Sequence, residues 1–227
     1  MAITFPRAMP AASPARQAFE IKRADFLSPE AGGRLGAISN GFPLWYAKWT
    51  LGAGGRASSD EWRAFVDSLQ GPKRLLIGRD YSRPYPLAYQ VGEFAGLSRA
   101  GGGAFDGAAT SWAASVSING PNLVQLTGLP AGFVLSIADY VGFRWTTGGE
   151  ARRAMVRTIE GAMANGAGVL QVAIEPGVPE AVPSNAIAHL DEPGCLMRLI
   201  PSETQLGDMD RTQSISGAVA ALQDILP

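Results

Sequence analysis

Hydrophobic and polar positions alternate from Leu44 to Leu51, with Trp45, Ala47, Trp49 and Leu51 on one face and Tyr46, Lys48 and Thr50 on the other. A period of two predicts a half-buried strand. The period then changes. After a glycine-rich turn at Gly52 to Gly55, Trp62, Phe65, Val66 and Leu69 recur at i, i+3, i+4 and i+7, the stripe of an amphipathic helix. Ser58 stands at an N-cap position with Glu61 three residues on, a capping box that predicts a helix near 59–70. Gly71-Pro72 stops it, and Arg74 to Gly78 is extended and apolar again. The predicted unit is a strand, a helix laid across its sheet and a returning strand. Trp45, Trp49, Trp62, Phe65 and Leu69 form its candidate core. Burying one such aromatic stabilises by roughly 2–3 kcal/mol, enough for the trio of tryptophans to anchor a domain.

Elsewhere the pattern is of short extended runs. Residues 1–18 are rich in Ala and Pro and predict an extended arm, with a short strand at Ala2 to Phe5. Such an arm is suited to lie on a neighbouring subunit. Ala18 to Phe26 alternates and ends at Ser28-Pro29, and Arg34 to Ile38 is a further short strand. Leu87 to Tyr89 predicts a strand edge, and the glycine-dense stretch from Gly92 to Gly107 a domain boundary or mobile loop. Trp112 to Ile118 alternates up to a turn at Asn119-Gly120, and Phe133 to Ile137 and Tyr140 to Trp145 are extended. Gly149 to Gly161 fits a helix or a hairpin, the β-branched residues and the following Asn165-Gly166 favouring the hairpin. Val169 to Ile174 and Cys195 to Ile200 are strands, and Ile215 to Ile225 is a helix or a strand. Repeated short strands between turns suggest a small barrel or sandwich.

Composition supports the β class. With 28 glycines and 16 prolines in 227 residues, many short segments are favoured over long helices. A formal net charge of −1 supplies no bulk field for nucleic acid or an anionic membrane. No run approaches the ~18 apolar residues of a spanning helix. Met1 to Arg7 lacks the apolar core of a secretory signal, which predicts cytoplasmic synthesis. One cysteine, Cys195, excludes an internal disulfide framework.

Few groups suit catalysis. His189 is the only histidine and Cys195 the only thiol, so multi-histidine zinc sites and cysteine clusters are excluded. His189 lacks a nucleophile-elbow pattern anywhere in the chain, and Cys195 opens an apolar run like a buried structural thiol. The clusters Gly52 to Gly55 and Gly101 to Gly103 lack the Lys and Ser or Thr of a phosphate loop. Asp60-Glu61 suits a helix N-terminus better than acid–base work, and Asp139 reads as a turn residue. No catalytic residue, metal or cofactor is expected. A hydrolase would rest on Asp139 and Glu160 alone; a carbohydrate-binding module would stack sugars on Trp112, Tyr140 or Trp145. A basic strip at Lys73, Arg74, Arg79 and Arg83, interleaved with Tyr81 and Tyr85, is a candidate subunit interface. It is short and the chain is not basic, which weighs against nucleic acid. Glu203, Asp208, Asp210 and Asp224 of a neighbouring copy would be its acidic complement.

Six stretches, three in each half of the chain, carry a resemblance. FLSPEAGGRLGAISNGFPLWYAKWTL, SSDEWRAFVDSLQG and RLLIGRDYSRPYP, followed by GLPAGFVLSIADYVGF, ARRAMVRTIEGAMANGAGVLQVAIEP and EPGCLMRLIP, resemble the distal tail proteins of long-tailed bacteriophages. The likeness spans most of residues 19–201 and lies in aromatics, glycines and turns. It implies an N-terminal β-sandwich with one helix that forms a hexameric ring, and a small peripheral β domain projecting outward. The chain is short beside the larger members, which weighs against an added carbohydrate-binding module. The expected division is 1–105, completed by 206–227, and 106–205. The implied partners are further copies of the chain, the tail tube protein, and hub, baseplate and tail fibre proteins, with no nucleic acid and no membrane insertion. The implied location is the virion tail tip. The resemblance implies no enzymatic residues.

Overall fold

The computed structural model describes residues 3–29, 32–33, 35–52, 54–89, 94–115, 120–209, 211 and 214–225. The chain is mainly β, with one α-helix among the described residues. The first elements are β1 (Arg7–Ala8), β2 (Arg16–Pro29), β3 (Leu35–Thr50), α1 (Gly55–Leu69) and β4 (Leu76–Arg79). Then come β5 (Ser111–Ser115), β6 (Asn122–Thr127), β7 (Val134–Leu135), β8 (Tyr140–Thr147), β9 (Glu150–Thr158), β10 (Ala162–Met163) and β11 (Leu170–Glu175). β12 (Ile187–His189), β13 (Gly194–Leu199) and β14 (Ala218–Gln223) complete the order.

Two open six-stranded sheets result, in the orders β1-β4-β13-β14-β3-β2 and β12-β8-β9-β11-β6-β5, with β7 and β10 as a separate ribbon. Neither sheet closes into a barrel. All neighbours are antiparallel except β1 and β4. The alternation of β3 does what its period requires. Trp45, Ala47 and Trp49 turn into the first core, opposite Ile21, Phe19 and Gln17 of β2. Trp62, Phe65 and Leu69 of α1 are buried in the same cluster, as are Cys195, Met197 and Leu199 of β13 and Val219 and Ala221 of β14. Tyr140 and Met155 of the second sheet also enter this core, so the two sheets share a seam. The second core lies within the other sheet and its loops, around Val124, Leu126, Phe133, Phe143, Val156 and Val172.

Several expected boundaries move, each because a distant residue competes with a local signal. The capping box at Ser58 and Glu61 does not form. α1 starts at Gly55 after Gly54, without a side-chain cap, and Gly55 N–H donates instead to Ser214 Oγ at 3.2 Å. Glu61 is thereby freed to accept from Ala11 N–H at 2.8 Å. Asp60 consequently sits beyond the first turn, four residues from Arg56 with which it pairs at 3.5 Å. β3 runs unbroken from Leu35, joining two expected strands. Residues 87–89 form a 3-10 turn and no strand edge.

The arm lies on its own domain. Ala12 C=O accepts from Trp62 Nε1 at 3.1 Å, Ala64 C=O from Arg7 at 3.1 Å, and Pro10 C=O from Tyr81 Oη at 2.6 Å. Burial first of all pushes the Tyr81 phenol up to about 12, which keeps it a donor. The expected strand at Ala2 to Phe5 has no counterpart at residues 3–5, and Ala2 lies outside the described residues.

Phe94 and Phe105 are buried in the second core, so residues 94–105 pack with the second sheet; the glycine turn at 101–103 lies between Ser98 and Ala104, which bridge. The chain returns to the first sheet at Gly194, ahead of the expected point, because Cys195, Met197 and Leu199 alternate into the first core beside β4. The ambiguous stretch at 149–161 is strand: β8 and β9 form a hairpin through Gly148-Gly149, both at positive φ. Ala218–Gln223 settles the last segment as strand. Val116, Ile118 and Asn119 lie outside the described residues.

Candidate functional site

The basic strip does not stay together. Lys73 is exposed at the end of the turn after α1. Arg74 folds back, its guanidinium 4.6 Å from the Phe5 ring centre and donating to Ser68 C=O at 2.9 Å. Arg79 forms an ion pair with Glu192 and lies over Tyr81. Arg83 reaches Asp139 at 2.8 Å. Of the expected acidic complement, Glu203 accepts from Tyr46 Oη, Asp224 pairs with Arg198, Asp208 is exposed and Asp210 lies outside the described residues. Three of the four basic groups are therefore engaged within the chain, each with a different partner, and Lys73 is exposed.

Asp139 organises the turn between β7 and β8. It is fully buried. Its Oδ1 accepts from Arg83 and from Leu87 N–H at 3.0 Å, and Oδ2 from Ser136 N–H at 2.6 Å. A buried carboxylate that accepts from three donors on separate stretches of chain holds a loop in place. Asp139→Asn, which keeps the shape and removes the charge, is expected to cost about 2 kcal/mol in urea unfolding, since hydrogen bonds to charged groups are worth ~1.5–3 kcal/mol each.

His189 is buried on β12, and Gly142 of β8 leaves room for it: a Cβ there would stand 2.5 Å from Nε2. Its Nδ1 faces Asp191 C=O at 2.8 Å and Asp191 Oδ1 at 3.2 Å, which assigns the proton to Nδ1. Burial, with the nearby Arg144 charge, pushes its pKa below the ordinary 6.5, so the folded ring is neutral. The folded pKa lies below the unfolded one, so this contribution is present above about pH 6.5 and is lost as pH falls below it. Burial alone would raise Asp191, but the hydrogen bond from His189 and the Arg144 charge hold its carboxyl below 3.8, so its share is lost only at lower pH. His189→Asn is expected to flatten the fall in stability between pH 7.5 and 5.5; urea midpoints at the two pH values check it.

Burial also accounts for other candidates. Cys195 is fully enclosed and its thiol is pushed far up by burial. Tyr140 is buried in the first core, while Trp112 and Trp145 are half-buried against the second. Trp112 is fixed edge-on to Phe143, with Nε1 donating to Ala186 C=O at 2.7 Å. These three rings form no exposed platform for a sugar. Among the described residues no three His, Cys, Asp or Glu side chains gather as a metal site would require, and no helix is long and apolar enough to cross a membrane.

The unpartnered surface lies elsewhere. Between Lys22 and Ala24 the β2–β3 register shifts, with Gly41 at φ +79°, and beyond that bulge the two strands pair only with each other among the described residues. Arg23 pairs with Glu175 of β11 at its root, and Asp25 accepts from Ser39 Oγ at 2.5 Å further out. Phe26 stands opposite Ile38 on one face; Leu27 and Leu35 lie on the other, opposite Ala37 and Pro29. All four are exposed, at 63%, 70%, 63% and 63% for Phe26, Ile38, Leu27 and Leu35. Exposed apolar residues on both faces of a two-stranded ribbon are unusual, because an isolated ribbon is at best marginally stable in water. No family model matches the chain, and a search of curated proteins finds no significant match. The ribbon's outer half was hidden in the sequence because alternation looks the same whether or not a layer covers it. The signal available was the apolar pair Phe26-Leu27, which puts one large side chain on each face.

Proposed function

We propose that the chain is a structural subunit of the tail tip of a long-tailed bacteriophage, acting by self-assembly into a closed ring that joins the tail tube to the hub and baseplate. The observation that carries this reading is the β2–β3 ribbon, which bares large apolar side chains on both faces and is built to be covered. A flat partner surface would bury one face. Insertion between neighbouring copies buries both, and a head-to-tail contact of this kind generates a ring when its rotation closes. The resemblance to distal tail proteins adds the subunit number, six, and the neighbours: tail tube, hub, baseplate and tail fibre proteins. The shared seam fits this role, since two sheets joined through Tyr140 and Met155 resist relative motion.

The test is a mass measurement combined with electron microscopy of the purified chain. A six-fold ring with an open lumen is the expected result. A protein that remains monomeric at assembly concentrations overturns the reading.

A further inference from the structure

Arg79 of β4, Arg153 of β9 and Glu192 line a cavity of about 220 Å³, walled by Met9 of the arm and by Ile77. The charges around it do not balance. Glu192 is engaged by Arg79, and Asp191 by Arg144 at 3.0 Å and by His189. The Arg153 side chain, half-buried between them, makes no hydrogen bond or ion pair among the described residues. Three guanidinium groups thus share two carboxylates, and the half-buried Arg153 guanidinium is the one left without an ion pair among the described residues. Arg79 Nε and Arg144 Nε, both buried, also find no acceptor. The backbone is strained at the same point: Glu192 is held at φ +40°, its N–H donating to Pro84 C=O at 2.7 Å. Burial first of all, and then the Arg144 charge, lower the pKa of Arg153, and the Asp191 and Glu192 carboxylates offset this only in part.

We infer that this cavity is a binding site for a carboxylate, held by the Arg153 guanidinium with Arg79 beside it. A monoanion matches the single surplus charge, and a planar carboxylate matches the fork of the guanidinium donors. Glu192 at the rim disfavours a dianion such as phosphate. The site is independent of the ribbon. Its carboxylate comes either from a free small acid or from an acidic side chain of a neighbouring copy.

The experiment follows thermal unfolding of the full chain as sodium chloride is replaced stepwise by sodium acetate at constant ionic strength and pH 7.5, with inorganic phosphate as the contrast. A ligand that binds only the folded state raises the melting temperature in a saturable way. Expected are a saturable rise with acetate that exceeds the rise with phosphate, its loss in Arg153→Met with affinity at least tenfold weaker, and partial retention in Arg153→Lys. In chloride, Arg153→Met should melt no lower than the wild type, because it removes an unpaired charge. Sedimentation of the same variants separates the sources. If Arg153→Met also weakens self-association and acetate competes with it, the carboxylate belongs to a neighbour; if self-association is unchanged, it is a free acid. An acetate response that does not saturate, that phosphate equals, or that is as large in Arg153→Met as in the wild type overturns the site.

Discussion

Trp45→Ala is expected to lower the unfolding free energy by about 4–5 kcal/mol, read as a shift in the guanidinium midpoint with an unchanged slope. Trp45 is completely buried and packs against rings of β2 and of the second sheet. Phe19 lies 5.3 Å from it and Tyr140 5.8 Å, centre to centre, and the Arg157 guanidinium sits 5.3 Å above its ring. Removing a buried Trp side chain costs ~3–5 kcal/mol, from lost transfer energy plus the cavity left behind. A second loss comes from the seam. The indole N–H donates to Met155 C=O of β9 at 2.8 Å, and the truncated variant leaves that buried carbonyl without its donor, at ~1 kcal/mol or more. Trp45→Phe separates the two: it keeps most of the packing and loses the N–H, and should cost about 2 kcal/mol. A Trp45→Ala variant destabilised by less than that would mean that the first core collapses around the gap and that the seam does not depend on this ring.

How far this was legible in the sequence depends on the range of each interaction. The inward face of β3 and the stripe on α1 follow from periods of two and 3.6, and those are local properties of the chain. The helix start was not local. Ser58 and Glu61 have the spacing of a capping box, but Ser214 takes the Gly55 N–H from far along the chain and Ala11 takes Glu61. The basic strip divides for a related reason. Arg79 and Arg83 are close in sequence, yet Glu192 and Asp139 draw them into different ion pairs on loops of the second unit. Cys195 to Ile200 reads as a strand wherever it is placed; only the register with β4 shows that it belongs to the first sheet. The carboxylate site lay beyond reach altogether, since Arg153 is surplus only once Asp191 and Glu192 have found other partners.

Replacing Phe26, Leu27, Leu35 and Ile38 together by Ser is expected to abolish assembly while leaving the monomer's melting temperature nearly unchanged. These side chains contribute almost nothing to the isolated fold, because surface substitutions away from special features stay within ~0.5 kcal/mol each. Covered by a neighbour, each would gain ~1.5–3 kcal/mol, so the set is worth on the order of 5 kcal/mol per contact even when burial is incomplete. At 1.4 kcal/mol per tenfold, that is a loss of more than about a thousandfold in the association constant. A closed ring makes each contact once per subunit, so the loss recurs at every interface. Mass photometry across a concentration series reads the result. The two faces can then be tried separately. Phe26 and Ile38 share one face, Leu27 and Leu35 the other. If the ribbon is inserted between two surfaces, either pair of serines weakens the ring; if it lies on one, a single pair accounts for the whole effect. A fourfold variant that assembles as the wild type does removes the ribbon from the interface, and with it the observation on which the ring reading stands. A variant that melts far below the wild type would mean that the ribbon's apolar faces pack against this chain itself, which their exposure argues against.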